Sequence, residues 1–494
     1  MSDITEKYQE AFSLEQGGET EKAIELYIQV ANASEKNLNS RYRIAVIYYE
    51  RGDFIHALDF TREALKLAPK HMQLNFLLAE CMWFTNQHEL CIRHLNFILQ
   101  LNPTSLEINK RLALRLFEVG KLIKSLKYFS IARKLDPDDL QNLKQYARAL
   151  FYVQHFDESI KLHEEYLAKA PHDAEAHFLY GTLLLSLNNT KKAWEHYFWR
   201  HKYIQPHFVS FKKSYEQWIG QSLENKTILI TWEQGIGDTI HFARYIKHLV
   251  KMGANVIFDL QSPLLDLFSS FDKHVLVHDT STPQPNADYI LSVMDIPYAL
   301  RNNDIEDIEV GFPYLYAPTD LIHHFKEKTS SCKGFKIGIA WQGNPDYPRD
   351  AVRSIPLEAF NEIAAIKGVD LISLQAIFGT EQLETFSHPI LDLEKALLEG
   401  ERGISRLAAA IETLDLIICC DSAGAHIAGA LNKPVWILIP TLPDWRWGWK
   451  STTSILYPSM KIVRCPEGAN WYSVISSIIP SLEEYIHLES AKDN

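Results

Sequence analysis

Apolar and polar positions alternate along this chain in two regimes. Up to about residue 203 the pattern has a helical period. In "RGDFIHALDFTREALKLAP" (residues 51–69), Phe54, Ala57, Leu58, Ala64, Leu65 and Leu67 largely keep to one helical face. The unit recurs: Pro69, Pro103, Pro137 and Pro171 lie 34 residues apart. In the same phase run Gly18, Gly52, Asn86, Gly120, Gln154 and Asn188, and five residues further on come Ala23, Ala57, Cys91, Ser125, Ser159 and Ala193. A third series of small residues is Ala45, Ala79, Ala113, Ala147 and Gly181. Each series has a physical job in a stack of helix pairs. Small side chains let the two helices of a pair approach where they cross. Gly or Asn takes a left-handed cap after the first helix at little cost, and proline closes the second. The predicted architecture is an α-solenoid of five to six helix pairs over residues 5–203, with a concave groove.

The helical period is lost after "HYFWRHKYIQPHFVSFKKSYEQW" (residues 196–218). Short unalternated apolar runs now separate amphipathic stretches: "TILITW", "NVIFDL", "HVLVHD" and "DYILSV", then "FKIGIAW", "VDLISLQ", "DLIICC" and "PVWILIP". Such runs predict buried parallel strands with helices on both faces. A polar stretch at 315–334 splits them into two groups. The expectation is a linker at 204–225, two Rossmann-like lobes at 226–320 and 333–470, and a C-terminal helix and tail at 471–494. Two facing lobes would form a cleft at the carboxyl ends of their strands.

Composition narrows the function. With 50 basic and 62 acidic residues the net charge is −12, so no global basic field exists for nucleic acid or an anionic membrane. The six cysteines form no CxxC pair, which suits a reducing compartment and argues against structural zinc. The start, "MSDITEKYQEAF", has no apolar h-region, and no apolar run approaches the roughly 18 residues of a membrane span. A cytoplasmic location is expected. GxxxxGK[ST], GxSxG and HExxH are absent, and "GIGDTI" lacks the dinucleotide-binding GxGxxG. No DxD pair stands at a strand end to hold a metal.

Four strand ends carry candidate chemistry. In "EQGIGD" (233–238), Gly235 and Gly237 permit a sharp turn, and Asp238 sits either as a helix cap or as a base aimed at a hydroxyl. In "CCDSAGAHIAGAL" (419–431), Asp421, Ser422 and Ala423 open a helix whose amides suit a diphosphate, with His426 nearby; the alternative is close helix packing around a core histidine. In "IAWQGNPDYPRDAVRSIPLEAF" (339–360), Gly343 and Asn344 suit a turn against a ligand and Arg353 suits bidentate phosphate contact; the alternative is an exposed loop in which Arg349 and Arg353 are surface arginines. In "PTLPDWRWGW" (440–449), Trp445, Trp447 and Trp449 either stack on a sugar or base, or cap the sheet.

The repeat resembles the tetratricopeptide repeat (TPR). The second half resembles the heptosyltransferase-like glycosyltransferases, family 9, of GT-B fold, and particularly its TPR-fused bacterial branch. The likeness rests on ordered landmarks over about residues 214–480: "TWEQGIGDTIHFARYI", "GIAWQGNP", "RSIPL", "SLQ", "DLIICCDSAGAHIAGALNKPVW", "PDWRWGW" and "LYPSM". The resemblance implies an α-solenoid followed by GT-B lobes, an N-terminal acceptor lobe and a C-terminal donor lobe. Asp238 takes the place of the catalytic base. Asp421, Ser422, Ala423 and His426, with Arg353, Gly343 and Asn344, take the donor-binding places. Gly235, Gly237, Gln375, Trp445 and Trp447 would line the cleft. Ser422-Ala423 stands where heptosyltransferases often have Thr-Gly, so the donor sugar is not carried over. The implied activity is metal-independent, inverting transfer from a nucleotide-sugar to a hydroxyl, with no further cofactor. The acceptor would be a protein, flagellin or another surface protein, recruited by the TPR groove. Alternatives are an inactive scaffold, a nucleotide-sugar epimerase, or use of the groove for homo-oligomer formation.

Overall fold

A computed structural model of the protein describes residues 2–188, 190–204, 215–301, 308 and 310–492. The chain forms two compact units, residues 1–176 and 177–494.

Among its described residues the first unit contains five successive helix pairs: Ser2–Gln16 with Thr20–Ala33, Leu38–Glu50 with Phe54–Leu67, Met72–Phe84 with His88–Leu101, Leu106–Glu118 with Leu122–Leu135, and Leu140–Tyr152 with Phe156–Lys169. The two small-residue series and the turn series do the work that the pattern predicts. Ala23, Ala57, Cys91, Ser125 and Ser159 are fully buried, as are Ala45, Ala79, Ala113 and Ala147. The turn series adopts positive φ at every position, including Asn86 (58°) and Gln154 (65°), which carry a Cβ into a left-handed conformation.

The sixth pair, Ala174–Ser186 and Thr190–Tyr197, falls almost wholly in the second unit. The compact division therefore lies inside the repeat series and not at residue 203. Aromatic packing explains this: Trp194 meets Phe242 at 6.0 Å and Trp445 at 5.7 Å, both edge-on. The helix crossing here is tight enough that a Cβ on Gly181 would stand 2.5 Å from the Tyr197 amide nitrogen.

The second unit holds two wholly parallel sheets. The first has the order β1-β5-β2-β3-β4, made of β1 (Glu216–Gln217), β2 (Thr227–Thr231), β3 (Asn255–Leu260), β4 (Val275–Asp279) and β5 (Tyr289–Ser292). The second has the order β11-β10-β9-β6-β7-β8, made of β6 (Phe335–Ala340), β7 (Val369–Ser373), β8 (Leu391–Asp392), β9 (Leu416–Cys420), β10 (Val435–Ile439) and β11 (Met460–Arg464). All eight apolar runs are strands. Short, polar-containing β1, β8 and β11 are additions.

Part of the expected linker, residues 205–214, lies outside the described residues. From Glu216 the chain already belongs to the first sheet, pinned by fully buried Trp218. The stretch after 313 joins the second lobe. Tyr314 N–H donates to the Ala430 carbonyl, and helix Thr319–Lys328 packs on helix Gly403–Glu412. The C-terminal helix Trp471–Lys492 buries Val474, Ile475, Ile478 and Leu482 in the second lobe's core beside Phe360, Ile363 and Trp436.

Candidate functional site

Each sheet reverses its winding once. The chain leaves β2 for β3 and β4, then returns to place β5 on the other side of β2; it leaves β6 for β7 and β8, then returns with β9. Crevices beyond such reversals are where open parallel sheets bind ligands. A cavity of about 920 Å³ opens there, lined from the first lobe by the turn after β2 and from the second by segments following β6, β7 and β9. Asp238, Gly235, Gly237, Gly343, Asn344, Arg353, Gln375, Asp421, Ser422, Ala423 and His426 all line this space. Residues spread over 192 positions of sequence, from Gly235 to His426, thus converge because strand ends converge.

Asp238 caps a helix with one carboxylate oxygen and pairs with an arginine through the other. Its Oδ2 accepts the Gly235 N–H at 3.0 Å, capping helix Ile236–Ala243. Its Oδ1 faces the Arg446 guanidinium, with Nη2 at 2.5 Å. The side chain is only 17 % exposed, and burial raises its pKa despite the neighbouring Arg446. A partly buried carboxylate with elevated proton affinity can take a proton from a hydroxyl.

Across the cavity Ser422 is the N-cap residue of helix Ala423–Ala430, its own side chain making no cap bond. The first amides of a helix have no preceding turn to bond and favour an anion. Asp421, just before them, is pushed up to about 6 by burial and by the nearby Asp444 carboxylate. The cavity wall thus carries the acids Asp238, Glu401, Asp421 and Asp444 against the bases Arg353 and Arg446, and burial raises the proton affinity of both Asp238 and Asp421.

His426, which the resemblance puts among the donor-binding residues, lines the cavity without carrying charge. It is buried, and burial together with Arg446 and Arg244 depresses its pKa to about 3, so the ring is neutral. Its Nδ1 pairs with the Tyr457 hydroxyl at 2.8 Å, and its ring stacks on Trp447. It also explains Gly237, where a Cβ would stand 2.9 Å from the His426 Cδ2.

Arg353 reaches the cavity but is heavily engaged. Nε donates to Asp350 Oδ1 at 2.9 Å, Nη1 donates to the Asp421 carbonyl at 2.8 Å, and Tyr347 lies under the guanidinium at 4.6 Å. Gly343 gives it room, since a Cβ there would fall 2.2 Å from Nη2. Asn344 spends its Oδ1 on the Asp346 amide and shapes the loop. Gln375 lines the cavity yet uses its polar atoms internally: Oε1 accepts from the amides of Trp341 and Gln342, while Nε2 donates to the carbonyls of Gln342 and Phe378.

Trp445 and Trp447 do not line the cavity and form packing behind it. Trp445 meets Trp194 and Tyr197 edge-on, and Trp447 is 1 % exposed behind His426. Their apolar area is better buried in this wall than left on a wet cleft. The residue between them is the one that sequence reasoning passed over. Arg446 reaches the cavity with its charge held by Asp238 and Asp444. An arginine flanked by tryptophans was the available signal, because an aromatic face supports a guanidinium. A second unforeseen feature is a buried ion network below the β2 turn. Arg200 binds Glu233 through Nε and Nη2 at 2.8 and 2.6 Å, and its Nη1 meets Asp295 at 2.8 Å. His201 adds Nε2 to Asp295 at 2.7 Å. His201, Glu233 and Asp295 are close enough for a shared cation, but the Arg200 guanidinium already fills that role.

Two family models match the helical region: one described as anaphase-promoting complex, cyclosome, subunit 3, over residues 16–98, and one described as tetratricopeptide repeat, over residues 146–197. Protein FlbA of Caulobacter vibrioides is 25 % identical over 319 residues, covering 60 % of this chain and 52 % of FlbA, so this chain spans about half the length of that relative. Among solved structures, the MamA protein is 18 % identical with a TM-score of 0.33, covering 35 % of this chain and 96 % of that one. YrrB, titled a TPR protein with an unusual peptide-binding site, is 15 % identical with a TM-score of 0.33, covering 37 % and 93 %. The N-terminal region is a TPR solenoid, a module of protein interaction, and the C-terminal region is an α/β domain of parallel sheets.

Proposed function

We propose that the protein is a glycosyltransferase of GT-B type that moves a sugar from a nucleotide-sugar to a hydroxyl, inverting at the anomeric carbon. The carrying observation is one cavity in which a partly buried carboxylate, Asp238, faces a helix start at Ser422 and two guanidiniums, Arg353 and Arg446. The donor's diphosphate would lie against the Ala423–Ala430 helix start and Arg353, which offset the charge developing on the leaving group. Asp238 would take the acceptor's proton as its oxygen attacks. The TPR solenoid supplies the extended surface that recruits a protein acceptor.

The test is thermal unfolding of the full chain with a panel of nucleoside diphosphates and nucleotide-sugars, followed by intact mass of candidate acceptors. Stabilisation by at least one donor, and an added sugar mass that Asp238→Asn abolishes without losing donor binding, is expected. If no nucleotide or nucleotide-sugar stabilises the protein, the proposal fails.

A further inference from the structure

Arg446 stands where the two sides of the cavity meet. Its side chain is 9 % exposed and its guanidinium lies over the Trp445 ring at 4.4 Å. Nη1 donates to Asp444 Oδ1 at 2.8 Å, two residues away in sequence, whereas Nη2 reaches Asp238 Oδ1 on the other lobe. Both oxygens of Asp238 are therefore engaged, Oδ2 by the Gly235 amide and Oδ1 by Arg446. The Gly235 amide is fixed by the helix start that it caps. The Arg446 end is a side chain that can turn, and it belongs to the wall that also presents Ser422 and Arg353. A phosphate group carries more charge than a carboxylate and matches the guanidinium fork in the same bidentate way, so it competes with Asp238 for Nη2.

Taking the transferase reading as its basis, we propose that Arg446 is a phosphate ligand that couples donor binding to the freeing of Asp238. A phosphate of the nucleotide takes the Nη2 edge, Arg446 keeps Asp444, and Oδ1 of Asp238 becomes the acceptor for the incoming hydroxyl. In the transfer step the hydroxyl proton passes to Oδ1 while its oxygen bonds to the anomeric carbon. The bond from that carbon to the phosphate oxygen breaks, and its electron pair leaves on the nucleoside diphosphate, whose new charge faces Arg446. Without donor phosphate the base stays paired, which disfavours attack by a stray hydroxyl or water and sets a donor-first order of binding.

The experiment is a double-mutant cycle on the full chain, with ADP, GDP, UDP and CDP binding measured by titration calorimetry. Arg446→Met should weaken the nucleotide that binds by about tenfold or more, the scale of one charge-assisted contact. Asp238→Asn should tighten it by about threefold or more, because the competing carboxylate charge is gone. In the Arg446→Met background that tightening should disappear. Unchanged or weaker binding in Asp238→Asn overturns the proposal. So does tightening of equal size in both backgrounds, which would mean plain repulsion of the ligand by Asp238. Should Arg446→Met not fold, Arg446→Lys keeps the charge but cannot span Asp444 and Asp238; binding as tight as wild type would then overturn the proposal. If none of the four nucleotides binds the wild-type protein, the transferase reading falls. Binding without the coupling leaves that reading standing and removes only the role of Arg446.

Discussion

Asp421→Asn should stabilise the protein at neutral pH and hardly at all in acid. Asparagine keeps the size of Asp421 and removes its charge. The Asp421 carboxyl is lifted from 3.8 to about 6, first by burial and then by Asp444. Holding it ionised at neutral pH costs about 3 kcal/mol at roughly 1.4 kcal/mol per unit, if the site is wholly dry. The residue keeps partial exposure, so solvent screening reduces the expected gain to about 1–2 kcal/mol. The sign follows from proton binding. Because the folded pKa lies above the unfolded one, the folded state holds the extra proton between about pH 4 and 6. This group's contribution is therefore full below about pH 4, falls as pH rises through about 6, and levels off above about 7. Urea titrations of wild type and Asp421→Asn at pH 4.5 and 7.5 measure the difference, in which all other titrating groups largely cancel. A gain at pH 7.5 that shrinks at pH 4.5 is expected. An equal effect at both pH values, or a loss at pH 7.5, would refute the reasoning, because the carboxylate would then be making a stabilising contact.

Three further outcomes test the frame around the site. Gln154→Gly should raise stability by about 0.5–1 kcal/mol by relieving a left-handed φ of 65°; Asn86→Gly should gain less, since Asn tolerates that conformation, and equal gains in denaturant midpoint would contradict this. Gly181→Ala should cost about 2 kcal/mol or more, because its Cβ would meet the Tyr197 backbone at 2.5 Å; a neutral substitution would show that the sixth pair is not packed so tightly. Arg200→Met should cost about 3–5 kcal/mol at pH 7 by leaving Glu233 and Asp295 buried without their cation. That loss should shrink toward lower pH, where Asp295, no longer held down by Arg200, takes up a proton more readily; a pH-independent loss would mean that packing and not charge is at stake.

The strands that the apolar pattern missed share one cause. β1 and β8 are two residues long, and β11 is an edge strand with Lys461 and Arg464 among its five residues. Edge strands bury less and tolerate charge, so their sequences lack the continuous apolar run of a central strand. The site motifs were legible for the opposite reason. A central buried strand followed by small residues and a helix start, as at Thr227–Asp238 and Leu416–Gly424, is a local pattern. The partners of those motifs were not local. Arg446 and Asp238 are 208 residues apart, and the neutral state of His426 comes from burial against Trp447 and Tyr457.

The sequence by itself determined the solenoid, because each TPR helix crossing recurs every 34 residues and must be filled by a small side chain in the same place. It also determined that parallel sheets follow, and which strand ends carry Asp238 and the Asp421–Ala423 turn. Only the tertiary structure decided that Asp238 is both cap and cavity carboxylate, that His426 is uncharged, that the tryptophans face inward, and that Arg446 bridges the two sides. Charge state and pairing are set by burial and by neighbours distant in sequence, and neither leaves a periodic trace along a single chain.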